Sequence, residues 1–410
     1  MARQPLDRSA GTEDTHYAAT AAGVSMVMAG SMTANVAAYL LAWLASRWLG
    51  PAGYGEFASL LAAQLVLAVP ALALQTVVAR EAVRGKSTEA LRSLGYRCAA
   101  IVAVLAVVLT PAMAWLLDTG IVAAFSALVT APMLVLLATE QGLLQGRGRF
   151  GALSAVLAGA GVMKVVPAVL VLAFGGAASG ALVAGAAGTA LLVAAVRILD
   201  RTAVPSAHQP VRIGVASVLA ASQVQLALIA LSSLDLLIVR VVLSEYDAGI
   251  YALGAVATKA AFWLPQAVGV VLYPKMANPA QSARAVRTAL AVLVGIGATL
   301  VLGAAIAGPL VPVLVGDDYA PVASMLWAFA LHGAVLAVLQ CALLAAIASE
   351  RTRVAVLAWI GLLVEGTVML VWAETPGELI GTAVVIASVT AVAVATAAVR
   401  SADRASVSAS

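Results

Sequence analysis

The sequence predicts an all-α integral membrane protein: twelve transmembrane helices in two six-helix halves related by a pseudo-two-fold axis along the membrane normal. Three observations predict it. Hydrophobic residues make up 63% of the 410 positions and charged residues 10%, with a mean hydropathy of +1.04, whereas soluble domains run at about 45–50% apolar and about 25% charged. Apolar runs long enough to span a bilayer recur along the whole chain. Lysine and arginine are confined almost wholly to alternate connections between those runs.

The runs fall at 20–46, 57–79, 98–117, 121–139, 151–174, 177–199, 213–239, 248–272, 287–308, 320–346, 354–373 and 377–399. The first is about 26 residues, longer than the roughly 7–15 of a cleaved signal peptide's core, so it reads as a retained first helix. Counting from an inside N-terminus, 19 of the 23 Lys and Arg residues lie on inner connections and only Arg47 and Arg240 on outer ones. This asymmetry places both termini in the cytoplasm and sets basic residues against anionic headgroups. Lys164 and Lys259 fall inside helices five and eight. Cys98 and Cys341 lie far apart in apolar runs with no metal or redox spacing, and read as buried thiols. No basic patch with interleaved aromatics points to nucleic acid. The composition calls for no cofactor and no metal.

The connection after helix one, "SRWLGPAGYGEF" (Ser46–Phe57), reads as a stiff corner. Gly53 and Gly55 permit positive φ and close backbone approach, Pro51 fixes φ and stops the helix, and Gly50 belongs to the same outer-turn motif. A looser copy, "VRVVLSEYDAGIY" (Val239–Tyr251), follows helix seven. With Gly55 set on Gly249, Leu49 meets Leu243 and Phe57 meets Tyr251, and Pro70 falls one place from Pro265. The chain therefore divides into 1–200 and 201–410 as parallel repeats, a plan known among transporters. Pro70 and Pro265, read as mid-helix, would kink or hinge helices two and eight. Gly176, Gly180, Ala184 and Gly188 form a small-residue stripe for close helix packing.

Ionisable groups inside membrane helices cost several kcal/mol, so each needs a reason. Here they are Lys164, Lys259, Asp235 near the outer end of helix seven, His332 in helix ten and Glu365 in helix eleven. Lys259 can pair with Asp235 or Glu365 and serve packing alone; no acid lies in helices five or six to do the same for Lys164. Asp235 and Glu365 can instead bind a coupling proton or sodium ion. His332 reads more simply as a packing residue.

The segments "RWLGPAGYGEFASL" with Tyr54 at its centre, "AREAVRG", "LDLLIVRVVLSEYDAGIYALG" and "LPQAVGVVLYPKMA" resemble the polysaccharide-transport family. That family comprises the flippases of O-antigen and other lipid-linked oligosaccharides, and its superfamily also holds multidrug-and-toxin-extrusion antiporters and lipid II flippases. The resemblance rests on Asp235, Gly249, Tyr251, Pro265 and Pro274. It implies a non-enzyme of the bacterial plasma membrane that moves a polyprenyl-(di)phosphate-linked oligosaccharide to the outer leaflet by alternating access, as a monomer, alone or beside a polysaccharide polymerase. In that setting Lys164 and Lys259 hold the anionic headgroup at mid-depth, Arg47 and Arg240 receive it at the outer mouth, and Arg80 at the inner end of helix two. A groove between the halves keeps the lipid tail in the bilayer. Two alternatives stand beside this: a drug or cation antiporter, which calls for a more acidic or aromatic cavity, and a membrane-embedded polymerase or glycosyltransferase. The outer connections are short and their acids scattered, which disfavours the enzyme.

Overall fold

The computed structural model describes residues 8–199, 215–263, 265, 282–348 and 355–409, and its regular structure there is helix alone. The boundary at 200/201, Arg3, Arg201, Arg212, Pro274, Lys275, Arg351 and Arg353 lie outside the described residues.

The first helix, α1, runs Arg8–Leu67 with a single non-helical residue, Gly50 (φ 66°, ψ 178°), just before Pro51. Sixty residues of straight helix would reach about 90 Å, three times the hydrocarbon core, so α1 cannot be one pass. Its neighbours show the reversal. Before Gly50, the Met26 carbonyl accepts from Ser154 Oγ (2.6 Å) and Ala34 abuts Gly161, so this arm runs parallel to α5 (Phe150–Ala173). Beyond it, α2 (Val69–Val83) sets Gln75 against Gly142 and Ala79 against Gly146 of α4 (Ile121–Gly146), again in parallel. A short turn at 147–149 joins α4 to α5 as a hairpin, so the two arms of α1 run opposite ways. α3 (Thr88–Leu116) and α6 (Ala178–Leu199) complete the first half.

The second half comprises α7 (Val215–Leu231), α8 (Leu234–Val242), α9 (Glu245–Trp263), α10 (Ser282–Ala307), the short α11 (Val311–Val315), α12 (Ala320–Ala348), α13 (Ala355–Trp372) and α14 (Pro376–Ala409). Its helix pairing echoes the first. Gly254 abuts Phe329 and Thr258 abuts Gly333, so α9 runs parallel to α12 as α2 does to α4. Among the described residues nine stretches are long and apolar enough to cross a membrane, the first of which, Ser25–Val83, contains the reversal. The chain is a multi-pass membrane protein.

Four features differ from the sequence expectation. At the corner, Gly53 and Gly55, expected to use positive φ, are helical, and only Gly50 leaves helical geometry, because one positive-φ residue followed by proline suffices to turn the chain. Pro70 is not in a helix interior. The helix breaks at Ala68 and restarts with Pro70 in its first turn, where the missing N–H has no partner to lose. Pro265 likewise stands past the end of α9, in a turn. Helix seven, expected to be continuous, breaks at Ser232–Ser233 between α7 and α8. The glycine stripe faces α5, where a Cβ on Gly188 would lie 1.7 Å from the Met163 carbonyl oxygen.

At the arginine-rich end one carboxylate ties three helices together. Glu140 of α4, 1% exposed, takes a bidentate contact from Arg92 of α3 (3.0 and 2.7 Å) and lies 3.4 Å from Arg197 of α6. Arg197 in turn donates to the Tyr96 hydroxyl (2.6 Å) and stacks on that ring. Replacing Glu140 by alanine leaves two partly buried guanidiniums facing one another. The expected loss is about 3 kcal/mol, read as lowered thermal stability of the purified protein, with Glu140→Gln losing less.

Candidate functional site

Buried polar residues occur throughout the described helices, and one group of them, Asp235, His332 and Glu365, is carried by α8, α12 and α13. The Ser232–Ser233 break starts a new helix, so Asp235 stands in the first turn of α8, 1% exposed. Its carboxylate accepts from the backbone N–H of Leu236 (2.8 Å) and from the Tyr251 hydroxyl of α9 (2.9 Å). Tyr251 is itself fully buried and packs edge-on against Phe329 of α12, ring centroids 4.9 Å apart. A helix N-terminus and a tyrosine hydroxyl are the donors a buried carboxylate needs.

Around this pair stand groups without partners. Glu365 of α13 is 1% exposed and neither carboxylate oxygen has a hydrogen-bond partner among the described residues. His332 of α12 is 0% exposed and both ring nitrogens are in the same state. Asp235 lies within electrostatic reach of Lys259, His332 and Glu365. Lys259 of α9 is half-buried and forms no ion pair with Asp235, Glu365 or any other acid among the described residues. Lys164 of α5, also half-buried, has no acid beside it and feels the like charge of Lys259 from the other half. The structure therefore brings the two lysines into one electrostatic neighbourhood, one from each half, with Asp235 within reach of both Lys259 and Glu365.

The arginines separate. Arg240 of α8 has its side chain 3% exposed and turned across the junction. Its guanidinium donates to the carbonyls of Leu117 (2.9 and 3.2 Å) and Asp118 (3.2 Å), at the C-terminus of α3, where the last carbonyls lack helical partners. Arg240 thus occupies a seal, not an open mouth. Arg47 is exposed at the same end. Arg80 is exposed at the arginine-rich end, 3.2 Å from Glu81.

The end carrying the two corners is closed. Gly55 and Gly249, aligned in the sequence, meet backbone to backbone: a Cβ on Gly55 would stand 3.0 Å from the Gly249 nitrogen, and one on Gly249 only 1.8 Å from the Pro51 oxygen. Tyr54 and Phe57 are buried beside Tyr251 in one apolar cluster drawn from both halves. Trp43 Nε1–H donates to the Leu314 carbonyl (3.0 Å) and the buried Tyr319 hydroxyl to the Ser46 carbonyl (3.0 Å), each tying α1 to the second half. Farther along, an apolar cleft of about 510 Å³ lies between α1, α2, α3 and α4 of the first half and α7 and α8 of the second, with Pro70, Ser222 and Gln223 on its wall.

Three features escaped the sequence reading. Glu140 sits at the end of an apolar run and passed as part of a connection. Trp43 and Tyr319 carry no motif. The break at Ser232–Ser233 also escaped that reading, although the Ser232–Ser233–Leu234–Asp235 run has the composition of a helix start.

No protein-family model and no curated protein matches the chain. Solved structures do. The inward-facing conformation of a multidrug-resistance MATE-family transporter of the MOP superfamily aligns over 90% of this chain and 95% of that one, at 12% identity and a TM-score of 0.69. The lipid II flippase MurJ in its inward closed conformation aligns over 94% of this chain and 90% of that one, at 12% identity and 0.66. A MOP-superfamily transporter from Pyrococcus furiosus, described by a reversed polarity of its binding pocket, aligns over 93% and 96%, at 14% identity and 0.54. At these identities the likeness establishes a shared fold.

Proposed function

We infer, from a chain with the fold of the MOP-superfamily transporters, that it is a flippase for a lipid with an anionic headgroup. The cargo is a polyprenyl-(di)phosphate-linked oligosaccharide, moved from the cytoplasmic to the outer leaflet of a bacterial plasma membrane by alternating access. One observation carries the reading: Lys164 and Lys259, contributed by different halves, lie within electrostatic reach of one another, and neither has an acid in ion-pair contact among the described residues. An unpaired ammonium at membrane depth is expensive, and a phosphoryl group that pairs with both offsets that cost. The apolar cleft between the halves supports the same reading, because a lipid tail can remain in it while the headgroup crosses. Arg47 and Arg80, exposed at opposite ends, would receive the headgroup on either side, and Arg240 would join them once the corner end opens.

Asp235 and Glu365 are proposed to take the coupling ion, a proton or sodium. Glu365 has both oxygens unpartnered, and Asp235 has one hydroxyl donor that can move away. The same acids favour a second reading, extrusion of an organic cation. Reconstitution in vesicles separates the two. A fluorescent prenyl-diphosphate sugar should cross the bilayer with this protein present, a fluorescent organic cation should not, and an imposed proton or sodium gradient should accelerate the first. Asp235→Asn should remove the acceleration and slow transport about tenfold, the loss of one charge-assisted contact. Cation transport without lipid flipping would replace the first reading with the second.

A further inference from the structure

Beside Lys164 the first half contains a small cleft that the two-lysine picture leaves unexplained. Its polar members are Gln64 of α1, Thr130 of α4 and Lys164 of α5, and Leu41, Phe57 and Leu182 wall it. Gln64 is 4% exposed as a residue, its side chain makes no hydrogen bond among the described residues, and its amide atoms are not among those sealed off without a partner, in keeping with an amide that reaches the cleft it lines. A buried amide in that state costs free energy unless something in the cleft answers it. Thr130 is not that partner, since its hydroxyl donates to the Ser126 carbonyl (2.9 Å) within its own helix. No carboxylate lines the cleft, so a cation has nothing to bind there and meets the Lys164 charge.

The space is about 10 Å³, room for about one water-sized atom. Two side chains that carry donors line it, Gln64 with its amide NH₂ and Lys164 with its ammonium. A single oxygen that accepts from both is the group that fits, and a negatively charged oxygen fits best because the lysine is otherwise unpaired.

We infer that Gln64 and Lys164 form a one-oxygen subsite that takes a terminal oxygen of the anionic headgroup. The inference rests on the proposal above that Lys164 faces an anionic cargo, and it adds the residue that positions one particular oxygen. That oxygen belongs to the lipid's diphosphate or to the carboxylate of an acidic sugar; the chemistry at Gln64 is the same. Lys164 supplies charge without direction, and the planar amide supplies direction without charge. Together they hold the group at a defined angle as the halves move around it.

The experiment measures binding of farnesyl diphosphate, methyl glucuronide and neutral farnesol to the full-length protein in nanodiscs, for the wild type, Gln64→Leu, Gln64→Glu and Lys164→Ala. The wild type should prefer an anionic probe over farnesol. Gln64→Leu should weaken that probe about tenfold, one hydrogen bond to a charged group, and leave farnesol unchanged. Gln64→Glu, nearly isosteric, should weaken it further, because the new carboxylate pairs with Lys164 and repels the anion. The probe that responds identifies the source of the oxygen. Anion binding that falls in Lys164→Ala but survives both Gln64 variants overturns the subsite and leaves the anionic cavity standing. A wild type with no preference for either anion overturns the cavity, and the subsite with it.

Discussion

Gly249→Leu is expected to hold the protein open at the corner end and to stop transport. Gly249 has no free space: a bare Cβ already falls 1.8 Å from the Pro51 oxygen and 2.3 Å from its carbonyl carbon. Both obstacles are backbone, and the proline ring fixes φ there, so the obstacle cannot rotate away as a flexible side chain would. The closed state must separate by a few ångströms, and the open state, in which the corners part, has no such clash. A difference of about 3 kcal/mol, the upper end of overpacking costs, shifts a two-state ratio more than a hundredfold.

The shift is readable at Phe57, 2% exposed in the closed seal. In a Phe57→Cys background an impermeant maleimide applied from the corner side should label slowly, and Gly249→Leu should make labelling fast while glycan export is lost. Two controls isolate the cause. Gly120→Ala, also at the corner end, meets nothing within 4 Å and should be silent. Gly50→Ala also has open space but stands at φ 66°, ψ 178°, so it should cost about 1–3 kcal/mol of backbone strain without opening the seal. Unchanged labelling with normal export in Gly249→Leu would mean that the two corners do not close on one another during the cycle.

The second large effect is expected at the lysines. Lys164→Ala and Lys259→Ala should each lower transport of a prenyl-diphosphate sugar by roughly 10- to 100-fold, the range for a hydrogen bond to a charged group, and the double variant should abolish surface glycan export. Stability separates this role from a structural one. If either lysine were half of a buried ion pair, its loss would strand an acid and destabilise the protein by about 3–5 kcal/mol. Neither has an acid in ion-pair contact among the described residues, so alanine should leave the melting temperature equal or higher, because an unpaired desolvated charge has been removed. Normal export by the double variant would discard the cationic cavity. A falling melting temperature at normal export would assign the lysines to packing.

Glu140 makes the contrast plain. It and Lys164 are both ionisable residues in apolar helices, but Glu140 is clasped by Arg92 and approached by Arg197, whereas Lys164 faces a cleft. Loss of the first should be seen in unfolding, loss of the second in transport.

The amino-acid sequence by itself determined that this chain lives in a bilayer as a bundle of helices, because composition and run length decide the solvent and spacing of charge decides the connections. It also determined which positions are anomalous, since a lysine or glutamate inside an apolar run is conspicuous wherever the helix turns out to face. Only the tertiary structure decided what each anomaly touches. Arg47 and Arg240 occupy matching places beside the two corners, yet one is exposed and the other is spent on the carbonyls of α3. Gly55 and Gly249 looked like two separate turns and are one contact. Gln64 and Lys164 stand a hundred positions apart and share one cleft. The reason is rotational: a helix made almost wholly of alanine, valine and leucine has little apolar asymmetry to aim it, so its facing is set by neighbours pressing small residues against backbone, and the neighbours come from elsewhere in the chain.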